Sequence, residues 1–200
     1  MNLKKEAESP GPGHLPIFYE VEQSGIITGF PYTATIFEMK TEFQKALCIQ
    51  TTAFGRALFL DGILNSTEYD EFIYHEGIVH PAMLRAREHK RVLIIGGAEG
   101  GTLREVLKYG DVEQVVMVDI DGELVAACRT HLSDVYGDPF SDPRLVLLHQ
   151  DGRNYVENEK DQSFDVIIVD INEAMDDSPA QLLFTREFYL EVLRVLRRGG

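Results

Sequence analysis

The sequence predicts an α/β protein in which a doubly wound parallel sheet follows a small antiparallel β domain. Two observations predict this class. After Lys90, apolar runs alternate with segments of helical spacing, which is typical of parallel strands covered by helices on both faces. Between Ile17 and Leu60, short β-like runs are instead separated by Gly, Pro and Thr, which favours an antiparallel arrangement.

Length and composition narrow the class of protein. The chain has 200 residues, of which 44% are hydrophobic and 26% charged, as in ordinary globular proteins of one domain or two small ones. Lys and Arg total 19 against 33 Asp and Glu, so the net charge is -14. This charge disfavours nucleic acid and anionic membrane surfaces as partners and favours small cationic ligands.

Cysteine usage and the N-terminal sequence indicate the compartment. Cys48 and Cys128 lie in apolar stretches and are too few for a disulfide scaffold or a zinc knuckle, so we expect buried thiols. The N-terminus continues with acidic residues and prolines rather than an apolar run, and no apolar stretch approaches the length of a membrane span. We therefore expect a cytoplasmic protein.

The first third of the chain divides into a tail, a β domain and a connecting helix. Residues 1–13 end in Ser-Pro-Gly-Pro-Gly and are expected to form a mobile tail. Residues 14–66 are expected to form the antiparallel domain, with Asp61-Gly62 as a turn. Its predicted strands are Ile17–Val21, Ala34–Met39, Ala46–Gln50 and Arg56–Leu60.

Residues 67–89 are predicted to form the connecting helix. The helical spacing places Phe72, Ile73 and Val79 on one apolar side, and Pro81 is expected to kink or restart the helix.

Residues 90–200 are predicted to form the parallel α/β domain. Its predicted strands are Arg91–Ile95, Gln114–Val118, Arg144–Leu148 and Phe164–Val169. Its predicted helices are Thr102–Tyr109, Gly122–His131 and Thr185–Arg198.

A glycine-rich loop, Gly96 to Gly101, connects the first of these strands to a helix, and open α/β sheets bind ligands at this place. Measured against the dinucleotide pattern G-x-G-x-x-G, Ala98 replaces the middle glycine and Glu99 would repel a pyrophosphate. The same carboxylate would attract a sulfonium or an ammonium, so an S-adenosyl ligand is favoured over NAD. A tight turn without a ligand is the alternative.

Two aspartates follow the next two strands. Asp119 is expected to accept hydrogen bonds from both ribose hydroxyls. Asp151 is expected to accept one from an adenine amino group, while Gly152 allows close approach. Either aspartate could instead cap a helix. Together with the glycine loop, they predict an adenosine pocket.

The fourth strand ends in Asp170 and leads into an acidic segment. A free alkylamine has a pKa of about 10.4, so it must lose a proton before it can act as a nucleophile. Asp170 lies where the reactive group of an adenosine ligand would protrude, and it could orient the amine and take that proton. Further carboxylates, among them Glu173, would hold a distal ammonium, whereas Asp176 and Asp177 are expected to be solvated.

His75 and His80 raise the question of a zinc site. They are five residues apart, not the four that place two histidines on one helix face, so we expect no metal there. His75 either belongs to the core or lines an amine channel, and the sequence leaves both open.

Taken in order, these motifs resemble the polyamine aminopropyltransferases, the spermidine synthases and their relatives. The resemblance spans about Phe18 to Gly200. It rests on Phe54-Gly55-Arg56, Leu60-Asp61-Gly62, Thr67 to Glu76, Gly96 to Gly101, Val118 to Asp121 and Phe164 to Asp170. It implies a Rossmann-like, methyltransferase-type catalytic domain. The implied reaction transfers an aminopropyl group from decarboxylated S-adenosylmethionine, as co-substrate, to an amine, and it needs no other cofactor.

The resemblance also implies roles for individual residues. The proton acceptor of the family corresponds to Asp170. The positions that bind the nucleoside and the donor correspond to Gln44, Gly96, Glu99, Asp119, Asp151, Gly152 and Pro179. The positions on the amine side correspond to Tyr74, His75, Glu99 and Glu173. Two of these depart from the family, which usually has aspartate at Glu99 and an Asp-x-x-Asp-Pro motif where Glu173 stands.

The implied acceptor is putrescine, agmatine or a longer amine, the product is spermidine or a related polyamine, and a homo-oligomer is expected. Two alternatives stay open. One is a catalytically impaired homologue that acts as a partner subunit. The other is an S-adenosylmethionine methyltransferase, against which Glu99 argues because it would repel the methionine carboxylate.

The chain ends in Arg197-Arg198-Gly199-Gly200, a helix-end pattern that normally leads into another strand. Relatives of the family continue with further strands. We therefore expect a sheet that is incomplete at its C-terminal strands, an exposed apolar edge at Val166 to Val169, and poor turnover by these 200 residues alone.

Overall fold

The computed structural model describes residues 15–172 and 179–200, and it contains one antiparallel and one parallel sheet. The antiparallel strands are β1 (Ile17–Val21), β2 (Ile27–Lys40), β3 (Lys45–Thr51), β4 (Arg56–Leu60) and β5 (Ile63–Thr67). The parallel strands are β6 (Arg91–Gly96), β7 (Gln114–Asp119), β8 (Leu145–His149) and β9 (Val166–Asp170). The helices are α1 (Glu71–Arg85), α2 (Gly101–Leu107), α3 (Gly122–His131), α4 (Ser133–Tyr136), α5 (Gly152–Asn158) and α6 (Arg186–Val195). The tail expected at residues 1–13 lies outside the described residues.

The antiparallel sheet keeps its strands in chain order, β1 to β5. Its two central strands, β3 and β4, are buried on both faces. On one face Ile49 and Phe59 pack with Phe30. On the other face Cys48 and Leu58 pack with Leu124 of α3. The second face joins the sheet to the parallel domain.

The parallel sheet has the order β8-β7-β6-β9, which confirms the predicted fold class. Alternate residues of each strand enter one of two cores, which is why the strands are continuous apolar runs in the sequence. Ile94 and Met117 pack beneath α1 and α2, whereas Leu93 and Val118 pack beneath α5 and α6. Strand order reverses between β6 and β9, and the crevice at such a point is where open α/β sheets bind ligands.

The connecting helix buries a different face from the predicted one. Glu71, His75, Val79 and Met83 are buried, while Phe72 is 47% exposed. The prediction of an apolar side containing Phe72 and Ile73 is therefore wrong, because the buried stripe contains two polar residues that pair with each other. The helix also continues through Pro81 without restarting.

Three of the strands and α-helices were not predicted: β5, α4 and α5. Asp61 and Gly62 have φ of 50° and 89°, as in a two-residue hairpin turn, and the turn leads directly into β5. Strand β5 carries the polar pair Asn65-Ser66 and lacks an apolar alternation. Helix α5 is only 7 residues long and follows Asp151, for which a helix cap was one of two alternatives.

Strand β9 pairs only with β6 among the described strands, so it lies at an edge of the sheet. Its side chains are nevertheless covered, because Val166 and Ile168 are each 3% exposed. Helix α1 lies against one face of β9, and Ile167 and Val169 pack with the core beneath α6 on the other. The expected sheet edge is therefore present among the described residues, but the expectation that its apolar residues are exposed is wrong for Val166 and Ile168. Across the described ranges, no helix is both long and apolar enough to cross a bilayer.

Candidate active site

The carboxyl ends of β6, β7 and β9 open onto a cavity of about 700 Å³. Residues of the antiparallel sheet close it from the other side. The structure brings together at this cavity most of the residues singled out from the sequence, namely Gln44, Tyr74, Gly96, Glu99, Asp119, Asp151, Gly152 and Asp170.

Gly96 explains how two of these strand ends come so close. It is paired with Asp170 at the last step of the β6–β9 ladder and has φ of 83°. A Cβ atom at Gly96 would lie 1.9 Å from the backbone oxygen of Asp170. Only glycine permits this approach, and it places the Asp170 side chain beside the glycine loop.

Both oxygens of the Asp170 carboxylate accept a hydrogen bond. The Tyr74 hydroxyl donates to Oδ1 at 2.9 Å, and the Thr102 hydroxyl donates to Oδ2 at 2.6 Å. Burial, followed by the charge of Glu99, raises the pKa of Asp170, and the two hydroxyls oppose that rise. A carboxylate with a raised pKa is a stronger proton acceptor than an ordinary one.

Tyr74 remains a neutral donor at physiological pH. Burial and then the charge of Asp170 raise the pKa of its phenol far above the ordinary value. Its side chain projects from α1 into the cavity and is half exposed, so it can contact both Asp170 and a ligand.

Asp119 is a buried carboxylate at the end of β7. It is 8% exposed, and its Oδ1 accepts the backbone N–H of Asp121 at 2.8 Å. Burial raises its pKa to about 6. It does not cap a helix, since Asp121 caps α3 by accepting the N–H of Leu124 at 3.0 Å. The helix-cap alternative is therefore wrong for Asp119.

Asp151 is a helix cap that also faces the cavity. It caps α5 by accepting the N–H of Asn154 at 2.8 Å, and it also lines the cavity. Gly152 follows it at close range to β6, because a Cβ there would lie 2.6 Å from the Ile95 side chain.

The Glu99 carboxylate is held on several sides. Its Oε2 accepts from Asn65 Nδ2 at 2.6 Å and from the Ser66 hydroxyl at 3.2 Å. Its Oε1 lies 3.1 Å from His75 Nε2. Although Glu99 lines the cavity, it is only 6% exposed. Most of its charge therefore faces β5 and α1.

His75 lies behind Glu99 and is not among the residues that line the cavity. It is 1% exposed, and its Nδ1 contacts Glu71 Oε2 at 2.7 Å. Arg104 in turn donates two hydrogen bonds of 2.9 Å to Glu71. Charges of alternating sign therefore run from Arg104 through Glu71 and His75 to Glu99.

This arrangement keeps the His75 imidazole protonated. Burial alone would lower its pKa, but the hydrogen bond with Glu99 and the nearby carboxylates outweigh burial and raise it to about 9. His75 is thus a core histidine that reaches the cavity through Glu99.

Gln44 comes from the turn between β2 and β3 and connects the two sheets. Its Nε2 donates to Asp121 Oδ2 at 2.9 Å, and its Oε1 accepts from Asn172 Nδ2 at 3.3 Å. The Thr41 hydroxyl donates to the same Asp121 oxygen at 2.7 Å. The antiparallel sheet is thereby fixed beside the predicted ribose site.

Two predicted site residues, Glu173 and Pro179, remain. Glu173, like Asp176 and Asp177, lies outside the described residues. Pro179 begins a 3-10 helix, Pro179–Phe184, whose residues Ala180 and Leu183 line the cavity.

His80 faces away from this site. It lies 3.0 Å from the Tyr109 hydroxyl and 3.3 Å from Glu105 Oε2. Glu76, His80 and Glu105 come close enough together to hold an ion, but Lys108 Nζ already lies 2.5 Å from Glu105 Oε2 and supplies the positive charge. The two histidines do not share a site, as their spacing predicts.

Several residues of the site were assigned no role from the sequence: Asn65, Ser66, Glu71, Thr102, Arg104 and Asp121. Thr102 carried one pattern that could have identified it, since it is a polar residue in the first turn of a helix that begins directly after the glycine loop. The others contact the site only through tertiary packing, which no local pattern reveals.

A parallel sheet with a glycine loop and acidic residues at adjacent strand ends defines a nucleoside-binding α/β fold of the methyltransferase type, here closed by a β domain. Residues 71–200 match the spermine/spermidine synthase domain, and residues 19–68 match the spermidine synthase tetramerisation domain. The chain therefore belongs to the spermine/spermidine synthase family, which confirms the resemblance.

Curated relatives agree with this assignment. A polyamine aminopropyltransferase of Synechococcus sp. strain JA-2-3B'a(2-13) is 47% identical over 165 residues, covering 80% of this chain and 53% of the relative. One from Sulfurisphaera tokodaii is 42% identical over 171 residues, covering 86% and 57%. Polyamine aminopropyltransferase 2 of Pseudomonas aeruginosa is 47% identical over 165 residues, covering 82% and 47%. The chain spans about half the length of these relatives.

Solved structures show the same fold. A spermidine synthase in complex with the transition-state analogue AdoDATO superposes with a TM-score of 0.87 at 33% identity, covering 98% of this chain and 65% of that one. The spermidine synthase of Thermotoga maritima has a TM-score of 0.85 at 32% identity, covering 98% and 66%.

Proposed function

We propose that the protein transfers an aminopropyl group from decarboxylated S-adenosylmethionine to a polyamine acceptor such as putrescine, agmatine or a longer amine. Relatives named polyamine aminopropyltransferase support the reaction class. The observation that carries the proposal is the Asp170 carboxylate, which two hydroxyls hold at the rim of a cavity that also contains Asp119 and Asp151.

The cavity residues divide between the two substrates. Asp119 accepts from the ribose hydroxyls of the donor, and Asp151 and Gly152 lie at the adenine. Gln44 and Pro179 border the nucleoside. On the acceptor side, Tyr74 contacts the amine, while His75 acts through Glu99, and Glu99 and Glu173 add negative charge.

The chemical step is a displacement at carbon. The lone pair of the neutral acceptor nitrogen forms a bond to the aminopropyl carbon attached to the sulfonium. The carbon–sulfur bond breaks, and its electron pair stays on sulfur, which leaves neutral methylthioadenosine. Asp170 takes the proton that the nitrogen loses. No other cofactor is needed.

The expected partners follow from charge and from the family. The net charge of -14 favours cationic amines and opposes binding to nucleic acid or anionic membranes. We also propose a cytoplasmic homo-oligomer. Its support is the match of residues 19–68 to a domain described as a tetramerisation domain.

Replacement of Asp170 tests the proposed reaction. We expect Asp170→Asn to slow the release of methylthioadenosine about 100-fold or more, because a general base is lost while the nucleoside contacts remain. The affinity for methylthioadenosine, measured by calorimetry, is expected to change less than about twofold, since this ligand carries no aminopropyl group and no acceptor amine is present.

Asp161→Asn is the matched control, because it removes an exposed carboxylate that pairs with Arg194 far from the cavity. It is expected to behave like the parent. Assays with decarboxylated and intact S-adenosylmethionine separate aminopropyl from methyl transfer, and mass spectrometry of a mixed-amine reaction identifies the acceptor. Parent-like turnover in Asp170→Asn would contradict the proposal. So would transfer from intact S-adenosylmethionine but not from the decarboxylated donor.

A further inference from the structure

Thr102 is a fully buried hydroxyl in the first turn of α2. A threonine further inside a helix commonly returns its hydroxyl to the backbone of the preceding turn, but a residue in the first turn has no such turn before it. Here the hydroxyl donates to Asp170 Oδ2 at 2.6 Å, a short hydrogen bond to a carboxylate that lies 68 residues away in the sequence. The packing of α2 therefore places a specific donor on the proposed proton acceptor.

The two donors to Asp170 differ in how freely they can move. Tyr74 is 52% exposed, so its hydroxyl can leave Oδ1 when a ligand enters. Thr102 is 0% exposed, so its hydroxyl is not free to turn towards solvent. Gly97 leaves room for the oxygen that Thr102 contacts, since a Cβ there would lie 3.1 Å from Oδ2. Of the two oxygens, Oδ2 is thus held in place while Oδ1 is available to the cavity.

We propose that Thr102 is a positioning residue for Asp170: its hydroxyl fixes Oδ2 so that Oδ1 faces the acceptor amine and takes the proton. This inference rests on the proposed function of Asp170. Thr102 itself touches neither substrate, because its side chain is covered and is not among the groups that line the cavity.

The hydrogen bond also affects protonation. The charged and titratable groups around Asp170 are Tyr74 and His75 from α1, Glu99 from the glycine loop and Asp119 from β7. Burial and then Glu99 raise the pKa of Asp170, whereas Thr102 lowers it. Loss of the Thr102 hydroxyl therefore removes stabilisation of the ionised form, and the pKa of Asp170 rises.

The test compares Thr102→Val, which keeps the shape and removes the hydroxyl, with Thr102→Ser, which keeps the hydroxyl. In the full chain we expect Thr102→Val to lower kcat about 10-fold with little change in the KM of the donor, because one hydrogen bond to a charged group is lost. The acidic limb of the pH–rate profile is expected to move to higher pH. In Thr102→Ser, both kcat and the pH–rate profile are expected to be close to those of the parent.

Carbon-13 NMR of the Asp170 carboxyl group gives a second measurement that does not depend on turnover. We expect the carboxyl to titrate at higher pH in Thr102→Val than in the parent or in Thr102→Ser. Methylthioadenosine is the probe for an intact fold, and its affinity is expected to be the same in all three proteins.

Two outcomes would overturn the inference. One is an Asp170 titration that is the same in Thr102→Val and in the parent. The other is a Ser variant as impaired as Val, which would mean that only packing matters. Failure of the proposed function is distinguishable, because it would appear as unimpaired turnover in Asp170→Asn, whatever the Thr102 variants do.

Discussion

Three carboxylates of the cavity, Glu99, Asp119 and Asp170, are held by different kinds of donor. Asp119 accepts a backbone N–H, Asp170 accepts two hydroxyls, and Glu99 accepts an amide and a hydroxyl and pairs with an imidazole. Only the last arrangement brings a positive charge. The three acids therefore share one cavity and differ in their hydrogen-bonding partners, which suits the separate roles proposed for them.

Asp119→Asn is expected to lower the affinity for the nucleoside and to raise the stability of the fold. Burial raises the pKa of Asp119 to about 6 from an ordinary value of 3.8, so between these pH values the folded chain binds more protons than the unfolded chain. The free energy of unfolding contributed by this group therefore falls as the pH rises through that window. Above it, the charge costs roughly 2 to 3 kcal/mol, which asparagine removes.

We thus expect Asp119→Asn to have a higher Tm than the parent at pH 8 and a similar Tm near pH 4. Its affinity for methylthioadenosine at pH 8 is expected to fall about 10-fold or more, because hydrogen bonds from the ribose to a charged acceptor are lost. Thermal unfolding and calorimetry at both pH values measure the two effects. Unchanged affinity would contradict the ribose assignment, and a lower Tm at pH 8 would contradict the pKa argument.

The acidic residues of the cavity could be predicted because three of them are fixed by position alone. Asp119, Asp151 and Asp170 follow apolar runs, and the carboxyl ends of parallel strands meet at one edge. The donors to these acids could not be predicted in the same way. Thr102 and Asn65 belong to elements far away in the sequence, and their roles depend on how α2 and β5 pack.

Helices α1 and α2 pack closely because a glycine faces a histidine. A Cβ at Gly101 would lie 2.4 Å from the His75 ring, and that ring is buried between Glu71 and Glu99 and cannot give way. Arg104 of α2 also donates to Glu71 of α1. The helix pair therefore combines ion pairs with tight packing.

Gly101→Ala is expected to lower the free energy of unfolding by about 1–3 kcal/mol, as overpacking of a core does. Gly77→Ala is the matched control in the same helix pair. A Cβ at Gly77 meets nothing within 4 Å, and the residue lies inside α1, so alanine is expected to stabilise by about 1 kcal/mol. Urea unfolding measures both. Equal stability of Gly101→Ala and the parent would show that the His75 ring moves to make room for the added Cβ atom.

Long helices and strands with a regular apolar spacing could be predicted from the sequence, whereas short polar ones could not. Helix α3 was predicted with the bounds it has, since its apolar spacing is regular. Strand β5 was missed because Asn65 and Ser66 serve Glu99 and interrupt the alternation of a strand. The buried face of α1 was misassigned because it consists partly of ion-paired residues, which hydropathy places outside.

In the described residues, the antiparallel sheet and the parallel domain are joined by polar contacts as well as by a shared apolar core. Arg56 of β4 donates to the Asp134 carboxylate and to the backbone oxygen of His131 at 2.7 Å. Across the cavity, Thr41 and Gln44 bind Asp121. Two fixed points at opposite ends of α3 orient the antiparallel sheet.

The antiparallel sheet leaves an apolar face of β1 uncovered in the described chain. Tyr19 is 59% exposed and Ile17 44% exposed, on the same side of the strand. We expect Tyr19→Lys to lower the mass of the assembly, measured by size-exclusion chromatography with light scattering, if this face joins the proposed homo-oligomer. Leu84→Lys is the control, because Leu84 is 77% exposed on α1, away from this sheet. An unchanged mass for Tyr19→Lys would contradict this use of the face.

The contacts of Asp121 constrain how such a protein can evolve. The two family matches meet between residues 68 and 71, as if the halves were interchangeable modules. Asp121 nevertheless belongs to one half and binds Thr41 and Gln44 of the other, and Glu99 likewise depends on β5. Recombination at the seam between relatives would separate these pairs. The halves are therefore constrained to diverge together, and a chimera needs their contacting positions transplanted as a set.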